Sequence, residues 1–161
     1  MVLQDSMGWL DCHLHTFFVR DPKTKSEHLI GIPDEFSPDI LPGWEVNVAD
    51  YLDSENDRCH YTYDFGEDWN HAIILEKILP ADPNTTYPIC VDGKRACPPE
   101  DVGGIPGYEM LCEALVDPKH EDHAPFKERF GDFQPEDFDF SRVEFDNPQE
   151  RLEVVLDSDE F

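Results

Sequence analysis

YTYDFGEDWNHAIILE, residues 61–76, reads as two strands joined by a tight turn. Tyr61, Tyr63 and Phe65 alternate with Thr62 and Asp64. His71, Ile73 and Leu75 alternate with Ala72, Ile74 and Glu76, which is the period of two expected of half-buried strands. Gly66 is placed to supply the turn. Asp64, Glu67, Asp68, Trp69 and His71 crowd the connection, more ionisable groups around one Trp than a plain hairpin needs. The stretch is therefore both the architectural centre of the chain and its first candidate site.

Working outward, residues 1–7 predict a short helix with Val2, Leu3 and Met7 inward, stopped by Gly8. Residues 12–19 alternate as a strand with His13, His15, Phe17 and Val19 on one face, and apolar residues on both faces predict an interior position. Residues 20–45 read as loop around a short strand at 28–32. Downstream, residues 87–91 and 94–97 flank Asp92-Gly93, a two-residue turn signal that predicts a second hairpin. Tyr108, Leu111, Cys112 and Leu115 fall at helical spacing, predicting a helix that opens at Pro106-Gly107 and ends at Asp117-Pro118. A brief helix over 126–130 ends at Gly131. A last one runs from Asn147-Pro148 through Leu156, before an acidic end, 157–161, that is expected to fray. The sum is an α+β single domain over residues 1–161: a mostly antiparallel sheet built on two β-hairpins, with helices packed on one face.

A chain of 161 residues fits one domain. Its 12 Lys and Arg stand against 37 Asp and Glu, a formal charge of −25, which should repel phosphate backbones and anionic membranes. Direct nucleic-acid binding is not expected; a soluble acidic surface, or an acidic decoy of nucleic acid for a basic partner, fits better. No apolar run approaches the ~20 residues of a membrane span. The start, MVLQDSMGW, lacks the features of a signal peptide, so a cytoplasmic location is expected. Five cysteines, at 12, 59, 90, 97 and 112, are odd in number and scattered, which suits reduced thiols or metal ligands better than a disulfide framework.

Three further motifs carry chemistry. His13 and His15, two apart on a strand, would project from one face about 6–7 Å apart, close enough to share a divalent metal such as zinc; the plain alternative is one packed and one solvated histidine. Cys90 and Cys97 straddle the Asp92-Gly93 turn and could approach each other as ligands or remain free thiols. In CPPEDVGG, residues 97–104, prolines and glycines can hold Glu100 and Asp101 at a chosen angle, for a ligand or for local backbone amides. His120-Glu-Asp-His123 lacks the spacing of a zincin helix.

GWLDCHLHTF, YTYDFGEDWNHAIILEK and YPICVDGKRACPPEDVGGIPGYEMLCEALVDPKH, in that order, resemble the signature blocks of the Ri-plasmid open-reading-frame-three family of uncharacterised proteins. Some members are labelled TnpR-like resolvases or passengers of insertion elements. The resemblance covers nearly the whole chain and implies an α+β fold with a mostly antiparallel sheet and a genomic link to mobile elements. Relatives usually carry Asp where this chain has Glu67 and a cysteine where it has Val102, which weakens a cysteine-rich zinc site. Recombinase chemistry also needs several Arg around a phosphate and a basic DNA surface, which six Arg in so acidic a chain do not supply. The resemblance further implies an upstream strand missing before residue 1, whose loss would expose a sheet edge and favour a homodimer through it.

The leading expectation is a binding or interaction domain for a protein partner or small ligand, with Asp64, Glu67, Trp69, His71, Glu100 and Asp101 lining a polar cleft between the central hairpin and the CPPED loop. Two alternatives stand beside it. One is a metal-dependent hydrolase, in which His13, His15 and His71 with a carboxylate hold a water-activating ion and Cys90 and Cys97 are further candidate ligands. The other is the acidic decoy.

Overall fold

The computed structural model describes residues 1–35, 37–147 and 149–150. They form two compact units, His13–Thr85 and Met1–Cys12 with Thr86 onward.

The first unit is the sheet. Strands β1 (His15–Arg20), β2 (Glu27–Gly31), β3 (Leu41–Pro42), β4 (Arg58–Tyr63) and β5 (Trp69–Ile74) lie in the order β3-β2-β1-β4-β5. All neighbours are antiparallel except β2 and β3. The fold is thus α+β with a mostly antiparallel sheet, and β1 is the interior strand that its two apolar faces predict. The sheet is built on two hairpins, but the second is β1–β2. Residues 87–97 contain no strand, so the expected Asp92-Gly93 hairpin is corrected: Ala96 donates its N–H to the Pro135 carbonyl at 2.9 Å instead of to a cross-strand partner.

Register assigns the faces. Phe17 pairs with Tyr61 and Tyr61 with His71, while His15 pairs with Tyr63 and Tyr63 with Trp69. With period two, these residues share one face with Val19, Ile30 and Cys59. That trio is buried, with Phe17, Leu41, Val46, Tyr51, Leu52 and Ile73 packed against it. Burying a side chain such as Val19 or Ile30 contributes roughly 1.5–3 kcal/mol. Phe18, Leu29 and Ile74 lie on the opposite face and are exposed. At Gly31 a Cβ would come 2.6 Å from the His15 carbonyl oxygen, so only glycine lets β2 approach β1 there.

The second unit holds α1 (Val2–Met7), α2 (Gly104–Val116) and α3 (His123–Phe130). Helix α1 ends as expected at Gly8, φ 72. Gly8 N–H donates to the Asp5 carbonyl and Trp9 N–H to the Gln4 carbonyl, a Schellman close that turns Trp9 inward. Val2, expected inward, is exposed, whereas Gln4 and Trp9 are buried. Helix α2 buries Leu111 and Ala114 and ends at Asp117. It starts two residues before the predicted Pro106, after Gly103 at φ 97. Helix α3 likewise begins earlier than predicted, with Pro125 in its first turn, where a missing N–H costs little. A His123 ring nitrogen lies 2.7 Å from the Ala114 carbonyl and joins α3 to α2. The last predicted helix, through Leu156, and the end at 157–161 lie outside the described residues, save Asn147 and the helical Gln149 and Glu150.

Candidate functional site

The β4–β5 connection is organised by Asp64. Its Oδ1 accepts the N–H of Gly66 at 2.9 Å and of Glu67 at 3.3 Å. Its carbonyl accepts from Glu67 and Asp68, and its own N–H donates to the Leu14 carbonyl. The left-handed positions are Asp64 (φ 51) and Asp68 (φ 58), not Gly66; a short polar side chain that bonds locally tolerates that region best. So the turn attributed to Gly66 is made by two aspartates. Phe65, expected to continue the inward face of β4, sits in this turn 52% exposed, because β4 stops at Tyr63.

The other polar groups of the turn are also engaged. Trp69 donates its indole N–H to Glu67 Oε2 at 2.9 Å, and Asn70 Nδ2 donates to Asp68 Oδ1 at 2.8 Å. His71 is half-buried on β5, with Nδ1 3.3 Å from the Tyr61 carbonyl. Burial lowers its pKa, outweighing the backbone hydrogen bonds that favour the cation, so His71 is neutral at pH 7.

His13 immediately precedes β1, which begins at His15, and Asp11, at φ 59, bends the chain before it. His13 Nε2 lies 3.8 Å from Asp64 Oδ2, and its ring meets Tyr63 edge-on. His15 and His71 stand on β1 and β5, two strand spacings apart and offset by two residues along the strands, roughly 12 Å. The Tyr61 ring is 5.6 Å from one imidazole and 5.7 Å from the other. The sheet therefore brings His13 to Asp64 and gathers Asp64, Glu67 and Trp69 in one turn, but sets His15 and His71 on either side of the tyrosine column.

Glu100, Asp101, Cys90 and Cys97 belong to the other unit. There the CPPED loop is tied down from three sides. Trp9 donates its indole N–H to the Pro98 carbonyl at 2.8 Å, Glu100 Oε1 accepts the Leu10 N–H at 2.9 Å, and Arg129 donates to the Asp101 carbonyl at 2.8 Å. The Glu100 carboxylate thus serves a backbone amide 90 positions away in sequence. Burial, aided by the Glu100 charge, pushes the Cys97 thiol up to about 12, so it stays protonated and a poor nucleophile. Cys90 is a free thiol whose sulfur lies 3.6 Å from the Asp92 carbonyl.

Residues 1–142 match the family model described as plasmid pRiA4b ORF-3-like protein. The chain belongs to that family. A curated member, the uncharacterized protein y4hQ of Sinorhizobium fredii (strain NBRC 101917 / NGR234), is 38% identical over 146 residues, covering 89% of this chain and 70% of the relative. A crystal structure of MM3350 from Methanosarcina mazei Go1, a protein of unknown function, superposes with a TM-score of 0.80 at 40% identity, covering 89% of this chain and 79% of that one. The pRiA4b ORF-3-like fold is thus shared by proteins whose names assign no reaction.

Trp9 as anchor of the CPPED loop escaped the sequence reading. Its one local signal is its place directly after a helix-stopping glycine, where an apolar residue commonly packs back. Among the described residues of the pRiA4b ORF-3-like chain, no helix is long and apolar enough to cross a membrane.

Proposed function

We propose that this chain is a non-enzymatic binding domain whose recognition element in the sheet unit is the β4–β5 turn, presented to a protein partner. The observation that carries this reading is Phe65, 52% exposed at a turn whose shape is already held by Asp64, Asp68 and the Glu67–Trp69 pair. General acid–base work needs a carboxyl or imidazole poised near the operating pH and aimed at a substrate. Here the carboxylates bond turn amides and an indole, and His71 leans on a backbone carbonyl. A pre-shaped loop with an aromatic tip gives up little entropy on association, which favours recognition.

Affinity capture from the source cell with wild type and Phe65→Ser tests it: the partner retained by wild type should be lost by the variant. Equal capture by both, or metal-dependent turnover of a chromogenic ester or phosphate, would overturn the reading. The His13–Asp64 pair favours a metal-hydrolase alternative, in which that pair would be the core of a divalent site such as zinc. Stoichiometric metal in purified protein, lost in the His13→Ala/His15→Ala variant, would favour it.

A further inference from the structure

At the end of β4 away from the acidic turn, Arg20, Lys25 and Arg58 line one cavity of about 480 Å³. We infer that this cavity is a binding site for a small phosphorylated molecule, gripped through its phosphate by the two arginines.

Three observations lead there. The β1–β4 ladder ends with Phe18 paired to His60, and Arg20 and Arg58, two residues beyond on each strand, line the same cavity. Like charges directly opposite across a strand pair are destabilising, typically by a few tenths of a kcal/mol or more. In a chain with 37 carboxylates a counter-ion would be easy to supply, yet among the described residues none of the three cations forms an ion pair. Glu27, across from Arg20 on β2, is no exception. Arg20 Nε donates instead to the Lys25 carbonyl at 3.2 Å, and Lys25 Nζ to the Pro22 carbonyl at 2.5 Å.

The two acids of the cavity are turned to other work. Asp21 Oδ1 accepts the N–H of Lys23 and Thr24, and Asp57 Oδ2 accepts the N–H of Asp53 and Ser54. Their charge is spread over turn amides, which leaves the cations as the groups best able to meet an anion. Two guanidinium forks suit the tetrahedral oxygens of a phosphate better than a lone carboxylate ligand would need. A volume of this size lies within the range of small-molecule sites, and Tyr51 supplies an apolar wall for whatever the phosphate is attached to. The net −25 of the chain does not forbid it, since at physiological salt charges beyond about 8 Å are largely screened.

The 161-residue chain should be titrated at physiological ionic strength with pyrophosphate and, separately, with ADP, by calorimetry and two-dimensional NMR. Saturable one-site binding is expected, with shifts confined to residues 20–25 and 51–58, and a tenfold or greater loss in Arg20→Ala and in Arg58→Ala. Arg58→Lys should keep only part of the affinity, because it keeps the charge and loses the fork. ADP binding more tightly than pyrophosphate, with the increment removed by Tyr51→Ala, would assign the ligand to nucleotides; equal affinities would assign recognition to the phosphate alone. Both arginines are exposed, so the variants should melt with wild type. Absence of saturable binding at millimolar pyrophosphate, or equal binding by a folded Arg20→Ala/Arg58→Ala variant, would overturn the inference.

Discussion

The two ends of β4 treat charge in opposite ways. Beyond Tyr63 lie Asp64, Glu67 and Asp68, yet each carboxylate accepts a hydrogen bond from the turn itself or from the residues just after it. At Arg58 the strand begins beside Arg20 and Lys25, and the nearby acids bond other amides. The acidic end reads as a site in the sequence, and its carboxylates also hold the turn in shape. The cationic end attracts no notice in the sequence and carries the less compensated charge. A cluster of ionisable residues is therefore a weak sign of function until its hydrogen bonds are assigned, because short acidic side chains are also the natural holders of tight turns.

The largest effect that would break this contrast is at Asp64. Asp64→Ala removes an oxygen serving two amides, about 0.5–2 kcal/mol by analogy with helix caps, and leaves alanine in the left-handed region at a further cost of roughly 1–2 kcal/mol. A loss of about 2–3 kcal/mol is expected in urea denaturation. Asp64→Asn, which keeps the acceptor and tolerates the conformation, should lose about 0.5 kcal/mol or less. If both variants lose equally, the aspartate acts through its charge and the scaffold reading of this end fails.

An effect of middle size concerns His71, half-buried near the base of the same turn. Its folded pKa lies below the ordinary 6.5, so as pH falls below 6.5 the unfolded chain takes up a proton before the folded chain does. Stability from this group is present above that pH and lost as pH falls through the folded pKa. Melting temperature should drop between pH 6.5 and 5 more steeply in wild type than in His71→Gln. Matching slopes would mean that burial of the imidazole is not felt.

The smallest effect belongs to the other end. Without ligand, Arg58→Ala should change stability by no more than about 0.5 kcal/mol, in the stabilising direction, because it relieves a like-charge pair. Added salt should erase the difference. A clear destabilisation would show that Arg58 packs or pairs in the sheet, and the two ends would then be alike.

Sequence by itself determined the elements whose signals are local. The alternation in residues 61–76 gave β4 and β5, the spacing of Tyr108, Leu111, Cys112 and Leu115 gave the body of α2, and Gly8, Asp117 and Gly131 marked helix ends. Each depends on which face of one helix or strand is apolar, or on the backbone freedom of one residue, and both can be read within a few positions. The family blocks were legible for the same reason, being contiguous.

Only tertiary structure decided the rest, because the deciding partner is distant in the chain. Asp92-Gly93 carries a strong turn signal, yet no hairpin forms: the Gly93 Cβ position abuts the Phe138 ring and Ala96 bonds Pro135, contacts some 40 residues ahead. Trp9 is buried on a carbonyl 89 positions away, and Glu100 is committed to an amide 90 positions away. Arg20 and Arg58 come to line one cavity only because β1 pairs with β4. A local pattern states what a segment can form, whereas burial and the obligation to satisfy every buried polar group are met by whichever partner the fold brings near.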